Sequence, residues 1–368
     1  MNLNISPSDI ARTAMSLCSE QEFFALEAAI TDKFRSSRFV RGTLVILIGL
    51  ISVAGGLYLS VLSGVAHIST QDVLDTLTRF NNESENHLIV WHLRIPRALA
   101  ALLVGAGFAV AGAIMQGVTQ NPLADPGLLG VNAGAQFMLV IVFAFLPFLP
   151  FSIVILFCFA GGGIGALLVY GVAYFAKGRM TPVKLALAGA VVSSLLIGIS
   201  QAISILLQLN FQMAFWSAGG ISGAEWTQVN VIIPWVIVGL LLAVYLSSYI
   251  TLLNLGEEMA KGLGQRTTWI KIMAAISVFL LAGAAVSTVG SIGFIGLIVP
   301  HIVRFLLGAD YRWIIPCSAI VGAAAVLWAD IGAKLINAPY ETPLGSIISV
   351  VGVPFFLYLA RKERRELY

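Results

Sequence analysis

Long apolar stretches alternate with short polar loops from Thr43 onward. The stretch Ala98–Val118 has 21 residues without a formal charge, enough for a helix to cross a hydrocarbon core of roughly 30 Å. Applied along the chain, this criterion predicts ten membrane spans: Thr43–Ala66, Ala98–Val118, Leu128–Leu149, Phe151–Ala176, Leu185–Leu209, Val229–Leu252, Trp269–Val289, Ile292–Leu307, Trp313–Ile336 and Leu344–Ala360. Segment 211–228 predicts a short interfacial helix. We therefore expect an all-α polytopic membrane protein.

The second span, Ala98–Val118, consists largely of glycine and alanine. Small residues let other backbones approach closely, so we expect protein rather than lipid around this helix. A shift of 178 residues lays Leu102–Gly130 on Leu280–Gly308 with ten of 29 positions identical. The two matched spans would cross the membrane in opposite directions, and such inverted repeats are typical of transporters.

Seventeen of the 21 Lys and Arg residues fall on the side of the membrane that holds both termini. The other four are Arg79, Arg94, Arg97 and Lys334. The positive-inside rule therefore predicts that both termini are cytoplasmic. A net charge of +3 is too small and too scattered to indicate a nucleic-acid partner.

Two regions are predicted: a cytoplasmic N-terminal extension, 1–42, and a ten-span permease domain, 43–368. Ser6-Pro7-Ser8-Asp9 opens the extension's candidate amphipathic helix, which would lie on the membrane or on a partner. A solvated tail is the alternative.

Residues with catalytic or metal-binding chemistry are scattered. His67, His87, His92 and His301 form no metal set, and Cys18, Cys158 and Cys317 are expected to be packed thiols. No Lys precedes Ser or Thr, so the phosphate loop GxxxxGK[ST] is absent from the sequence. We expect a transport subunit that is not an enzyme and binds no cofactor or metal itself. If ATP drives transport, another chain binds it.

The loop after the sixth span predicts a compact helix. Glu257 and Glu258 open it where negative charge favours the helix dipole, and Gly262 and Gly264 end it. Such a helix can fit a groove on another protein, although an ordinary turn between spans is the alternative.

Several motifs together resemble the FecCD/BtuC-type permeases, the membrane subunits of ATP-driven importers for iron chelates and vitamin B12. They are the run WHLRIPRALAALLVGAGFAVAGAIMQGVTQNPLADPGLLG from Trp91 to Gly130, the loop after the sixth span, GFIGLIVPH from Gly293 to His301 with Arg304, Ala329-Asp330, and Pro343-Leu344-Gly345. The resemblance implies a BtuC-like fold with an inverted repeat. It also implies a homodimer or heterodimer of permeases, two subunits that bind ATP and magnesium, and an extracytoplasmic substrate-binding protein.

The resemblance also assigns roles to residues. Docking of the ATPase falls to the coupling loop, here Leu255, Gly256, Glu257, Glu258, Ala260, Leu263 and Gly264. Docking of the binding protein falls to Arg94, Arg97 and Lys334, for which anchoring at lipid phosphates is the alternative. The cytoplasmic gate falls to Thr181, Pro182 and Val183, where Pro182 departs from the small hydroxylated residues of some relatives.

Polar residues within spans are candidates to line the translocation path, because an unsatisfied amide in a membrane is costly. They are Gln116, Asn132, Gln136, Ser200 and Gln201. Hydrogen bonding between helices is the alternative for each.

These observations predict the permease of an iron-chelate importer in a bacterial inner membrane, with a ferric siderophore as the leading substrate and haem or cobalamin as alternatives. An ion-coupled secondary transporter would need a buried carboxylate, for which Asp330 is the candidate. A membrane-embedded enzyme lacks clustered nucleophiles or metal ligands.

Overall fold

The computed structural model describes residues 20–176, 182–217, 220–340 and 342–366, and all regular structure in these ranges is helical. The longer helices are α1 (Glu20–Leu62), α4 (Ile95–Thr119), α5 (Val131–Phe145), α6 (Phe151–Phe175), α7 (Pro182–Leu206), α9 (Trp226–Leu253), α11 (Thr267–Val289), α12 (Ile295–Leu307), α13 (Tyr311–Ile336) and α14 (Leu344–Glu366). The short helices are α2 (Thr70–Thr78), α3 (Glu85–Ile89), α8 (Asn210–Ser217) and α10 (Glu257–Gly262).

Each of the ten predicted spans overlaps one of the longer helices. Seven of the described helices are long and apolar enough to cross a membrane, and three shorter apolar helices, α5, α12 and part of α14, complete the set. The chain is therefore a multi-pass membrane protein, as predicted. Segment 211–228, for which a short helix is predicted, overlaps α8.

Helix α4 lies at the centre of the bundle and packs against α9, α11, α12 and α13. A side chain at Gly105 would collide with the backbone carbonyl of Gly322 in α13, and one at Gly112 would collide with the backbone of Gly296 in α12. These glycines let the helices meet backbone to backbone. The prediction that protein surrounds this span is confirmed.

Helices α4 and α11, the two spans that the predicted repeat matches, run in opposite directions. Val118 packs in one cluster with Ile270, and Gly107 approaches Leu281, so the helices are antiparallel neighbours. Each is followed by a non-helical segment and then a short helix, α5 or α12. Ala124 in the first segment and Gly290 and Ile292 in the second are buried by protein, the condition under which non-helical backbone is tolerated in a membrane.

The ungapped register of the predicted repeat does not match these elements. Thr119 and Val289 end the two helices and lie 170 positions apart, so a shift of 178 places Thr119 on Leu297, inside α12. Small residues recur for packing reasons in both halves, and they contribute several of the identities in the ungapped alignment.

The predicted boundary after residue 42 falls inside α1, which continues without a break from Glu20 to Leu62. Phe39 stacks edge-on against Trp313 of α13 at 5.6 Å between ring centroids, and Gly42 also lies against Trp313. The start of the predicted amphipathic helix, around Ser6, lies outside the described residues.

We predict that Gly112→Val destabilises the protein by at least about 1–3 kcal/mol, because the added side chain meets backbone that cannot move aside. The measurement is the thermal midpoint of the detergent-solubilised protein. Gly171→Val in α6 is the matched control, since a Cβ there meets nothing within 4 Å. Equal midpoints for the two variants would contradict the close packing of α4.

Candidate functional site

The loop after the sixth span forms helix α10, as predicted, with Gly256 before it at φ 128° and Gly264 after it at φ 81°. The amide of Gly264 donates to the carbonyl of Lys261, and the amide of Gln265 donates to that of Ala260. This pair of bonds is a Schellman motif, in which a left-handed glycine ends the helix. We call the end of the bundle that carries α10 the Glu257 end.

One side of α10 and of the loop that carries it packs against the bundle, and the opposite side is exposed. Ala260 is fully buried in a cluster with Leu253, Ile270 and Val118, so it positions the helix. Leu255, Met259 and Leu263 are instead 60%, 58% and 63% exposed. The loop therefore presents three large apolar side chains outside the bundle.

Ion pairs hold the start of α10. Lys271 Nζ lies 2.7 Å from Glu257 Oε2, and Lys261 Nζ lies 3.2 Å from Glu257 Oε1. The hydrogen bond from Lys271, aided by Lys261, lowers the pKa of Glu257 to about 2. Because the pKa is lower in the folded state, this stabilising interaction is fully present above the ordinary glutamate pKa and is lost as pH falls towards 2. Glu258 is largely exposed, 3.7 Å from Lys261.

At the opposite end, which we call the Arg94 end, Arg94 caps α1. Its guanidinium donates to the carbonyls of Val61 and Leu62, both at 2.7 Å, and to that of Ala66. The last carbonyls of a helix lack partners within it, and a cation there also favours the helix dipole. A π-helical segment, Val90–Arg94, precedes Pro96, whose ring and missing amide disfavour regular α-helix in the preceding turn.

Arg97, Asp330 and Lys334 form a buried ion cluster that joins α4 to α13. Arg97 Nη2 lies 2.9 Å from Asp330 Oδ1, and Lys334 Nζ lies 3.0 Å from Asp330 Oδ2. Lys334 also donates to the carbonyl and hydroxyl oxygens of Ser60 in α1. Three helices therefore converge on a fully buried carboxylate that the sequence did not mark as an ion-pair centre.

Arg94, Arg97 and Lys334, the predicted docking residues, are largely buried in this chain. Their residues are only 6%, 7% and 9% exposed, because Asp330 and the end of α1 draw the three cations inward. They nevertheless line one cavity of about 290 Å³, together with Ser222 and Tyr340. The cavity thus carries more positive than negative side chains.

Two of the predicted path residues form hydrogen bonds to distant parts of the chain. Gln116 is fully buried and donates to the carbonyls of Gly296 and Leu297, while Arg304 Nη2 donates to its Oε1 at 3.0 Å. The same Arg304 nitrogen donates to the Tyr311 hydroxyl at 2.8 Å. Asn132 donates to the Ser291 hydroxyl at 3.0 Å. Gln116 therefore contributes to helix contacts at the Glu257 end.

The structure brings together Gln136, Ser200 and Gln201, the other three predicted path residues. They line a cavity of about 300 Å³ between α5, α7 and α8, which we call the amide cavity. Ser204 and Asn210, which the sequence analysis missed, line it too. Of the predicted gate, Thr181 lies outside the described residues, Pro182 begins α7, and Val183 is exposed.

The FecCD transport family matches residues 46–362 of this chain. The chain belongs to the FecCD transport family. It is 48% identical to FhuB of Bacillus subtilis, an iron(3+)-hydroxamate import system permease protein, over 90% of this chain and 86% of FhuB. It is 45% identical to YfmD of the same organism, an Fe(3+)-citrate import system permease protein, over 86% of this chain and 94% of YfmD.

FecCD membership agrees with the fold. A solved metal-chelate type ABC transporter in an inward-facing conformation superimposes with a TM-score of 0.76 at 25% identity, covering 87% of this chain and 99% of that one. Membership of a family of importer permeases therefore argues against an ion-coupled secondary transporter and against a membrane-embedded enzyme. Asp330, the carboxylate that ion coupling would need, is instead engaged by two cations.

We predict that Asp330→Asn lowers the free energy of unfolding by about 3–5 kcal/mol, because it leaves two buried cations without their carboxylate. Lys334→Gln should cost less, since Asp330 keeps Arg97. Thermal midpoints of the single and double variants give the coupling energy. Glu258→Gln, at an exposed ion pair, is the control and should change stability by less than about 1 kcal/mol. A midpoint for Asp330→Asn equal to the control's would contradict the ion cluster's role.

Proposed function

We propose that this chain is the permease subunit of an ATP-binding cassette importer that carries an iron chelate, in particular a ferric siderophore, into the cytoplasm. The observation that carries the proposal is high identity, over most of the chain, to permeases of a hydroxamate system and a citrate system. Uptake of radio-iron chelates by cells that depend on this chain tests it. Uptake of haem or cobalamin without any iron chelate would contradict it.

The proposal includes a separate ATPase that docks at α10 and binds ATP and magnesium. Its support is the absence of a phosphate loop from the sequence, together with the exposed Leu255, Met259 and Leu263 on a short, well-capped helix. Apolar side chains that enter a partner's pocket carry most of the energy of such contacts. Ala260 is a poor probe of this docking, because it is buried within the chain itself.

We predict that Met259→Glu with Leu263→Glu reduces co-purification of the ATPase subunit by at least about tenfold and abolishes uptake. The control is Leu74→Glu with Leu77→Glu, the same exchange at exposed positions on α2. Abundance of both variants in the membrane is measured alongside. A Met259/Leu263 variant that retains its ATPase and its uptake would show that α10 does not dock it.

The proposed site of action is a bacterial plasma membrane, with both termini and the Glu257 end in the cytoplasm. The distribution of Lys and Arg supports this orientation. A second permease subunit, a copy or a relative, would complete the path. Its support is Gln201, an amide that is exposed on α7 although amides within spans normally face protein or water.

We further propose that an extracytoplasmic binding protein docks at the Arg94 end. The cavity lined by Arg94, Arg97 and Lys334 has an excess of positive charge, which suits a carboxylate from the partner. Complementary charge orients such partners and raises the association rate. Reversing the charges of Arg94, Arg97 and Lys334 would disrupt the buried ion cluster. The test therefore alters the binding protein and leaves the permease unchanged.

We predict that replacing the docking-face glutamates of the binding protein with glutamine slows its association with the importer and weakens the dependence of that rate on salt. Surface-binding kinetics at several salt concentrations measure this while the permease stays unchanged. Glutamine replacements elsewhere on the binding protein are the control. Association that is independent of salt for the unaltered pair would refute a charge-based dock.

A further inference from the structure

The amide cavity is polar but carries no formal charge in its described lining. Gln136, Gln201 and Asn210 contribute amide groups, and Ser200 and Ser204 contribute hydroxyls, beside apolar residues such as Val140 and Met213. The Ser204 hydroxyl donates to Asn210 Oδ1 at 3.2 Å, and the Ser200 hydroxyl donates to the carbonyl of Leu196 at 2.7 Å. The amide groups of Gln136 and Gln201 and the Nδ2 group of Asn210 thus have capacity to form hydrogen bonds with a guest molecule.

Charge is also absent from the parts of the helices that surround this cavity. The sequence has no Asp, Glu, Lys, Arg or His between Pro126 and Ala176 or between Leu185 and Ala224. Lys184, in the first turn of α7, is separated from Ser200 by about 24 Å of helix. The cations of this half of the chain therefore lie away from the cavity.

Iron chelates differ in their net charge. Three hydroxamates, each singly negative, cancel the charge of a ferric ion, whereas three catecholates, each doubly negative, leave three negative charges on the complex. Ferric citrate is anionic as well. Moving an unpaired charge from water into a low-dielectric site costs several kcal/mol, whereas amides and hydroxyls can satisfy a neutral polar guest.

We propose that the amide cavity is a contact site for uncharged ferric complexes, the trihydroxamate class, and that it disfavours ferric tris-catecholates and ferric citrate. The inference rests on the proposed function and narrows its substrate. Sequence identity alone does not distinguish a ferric hydroxamate from ferric citrate as the ligand, since the hydroxamate and citrate permeases are almost equally similar to this chain. A volume of about 300 Å³ accommodates part of such a chelate, with the second permease covering the rest.

The test uses the complete importer in lipid nanodiscs without its binding protein, so that receptor selectivity does not enter. Equilibrium binding of a neutral ferric trihydroxamate and of a ferric tris-catecholate, both labelled with radio-iron, gives the ratio of their affinities. The unaltered importer should favour the neutral complex. Gln201→Lys should shift the ratio towards the tris-catecholate by at least about tenfold, because the new cation attracts the trianion. Gln201→Glu should shift it the other way.

Gln208→Lys and Gln208→Glu are the matched controls, since Gln208 is exposed shortly after α7 and lies outside the cavity lining. They should leave the ratio unchanged. Gln136→Glu provides a second variant of the cavity should Gln201→Glu assemble poorly. An unaltered importer that binds the trianion as well as the neutral complex, or no detectable binding of the neutral complex, would overturn the inference. Gln201 variants whose ratio of affinities equals that of the Gln208 variants would also overturn it.

Failure of the proposed function is distinguishable from failure of this inference. The second measurement is transport in proteoliposomes with the binding protein present. Transport of iron chelates without discrimination by charge would support the proposed function and contradict the inference about the amide cavity. Absence of any iron-chelate transport would contradict both.

Discussion

Close backbone contact around α4 is the constraint on which the rest of this structure depends. In a membrane, apolar side chains gain little by leaving lipid for protein, so helices associate through tight packing and buried hydrogen bonds. Gly105 against Gly322 and Gly112 against Gly296 supply that packing, and they bring α12 and α13 onto α4. The short α12 and the non-helical segments near it can lie within the membrane region because this packing buries them.

The same helix connects the two ends of the bundle. At its start, Arg97 reaches Asp330 and Arg94 caps α1, and near its end Val118 packs beneath Ala260 of α10. Two residues earlier, Gln116 accepts a hydrogen bond from Arg304. A receptor that docks at one end and an ATPase that docks at the other would therefore both act on elements packed against a single helix.

Formal charge is distributed unevenly over this chain. Cations concentrate at the two ends, in ion pairs at Glu257 and around Asp330, while α5 to α8 carry hardly any. Uncharged amides and hydroxyls then provide the polarity inside the bundle. Such groups can bond to a passing molecule without the strong attraction that would hold a charged one in place.

The sequence by itself determined the membrane class, the ten helices, the compact helix after the sixth span and the family, because these depend on local hydropathy, glycine positions and contiguous motifs. It also grouped Gln136, Ser200 and Gln201 as polar residues within spans. Only the tertiary structure decided which polar groups were satisfied: Gln116 bonds across to α12, whereas the other three share a cavity. It likewise turned Arg94 and Arg97 inward, since their partners Val61 and Asp330 lie 33 and 233 residues away in the chain. Lys334 pairs locally with Asp330, but it is also held by Ser60, 274 residues away. Such long-range pairs leave no local signal, so their burial follows from helix packing alone.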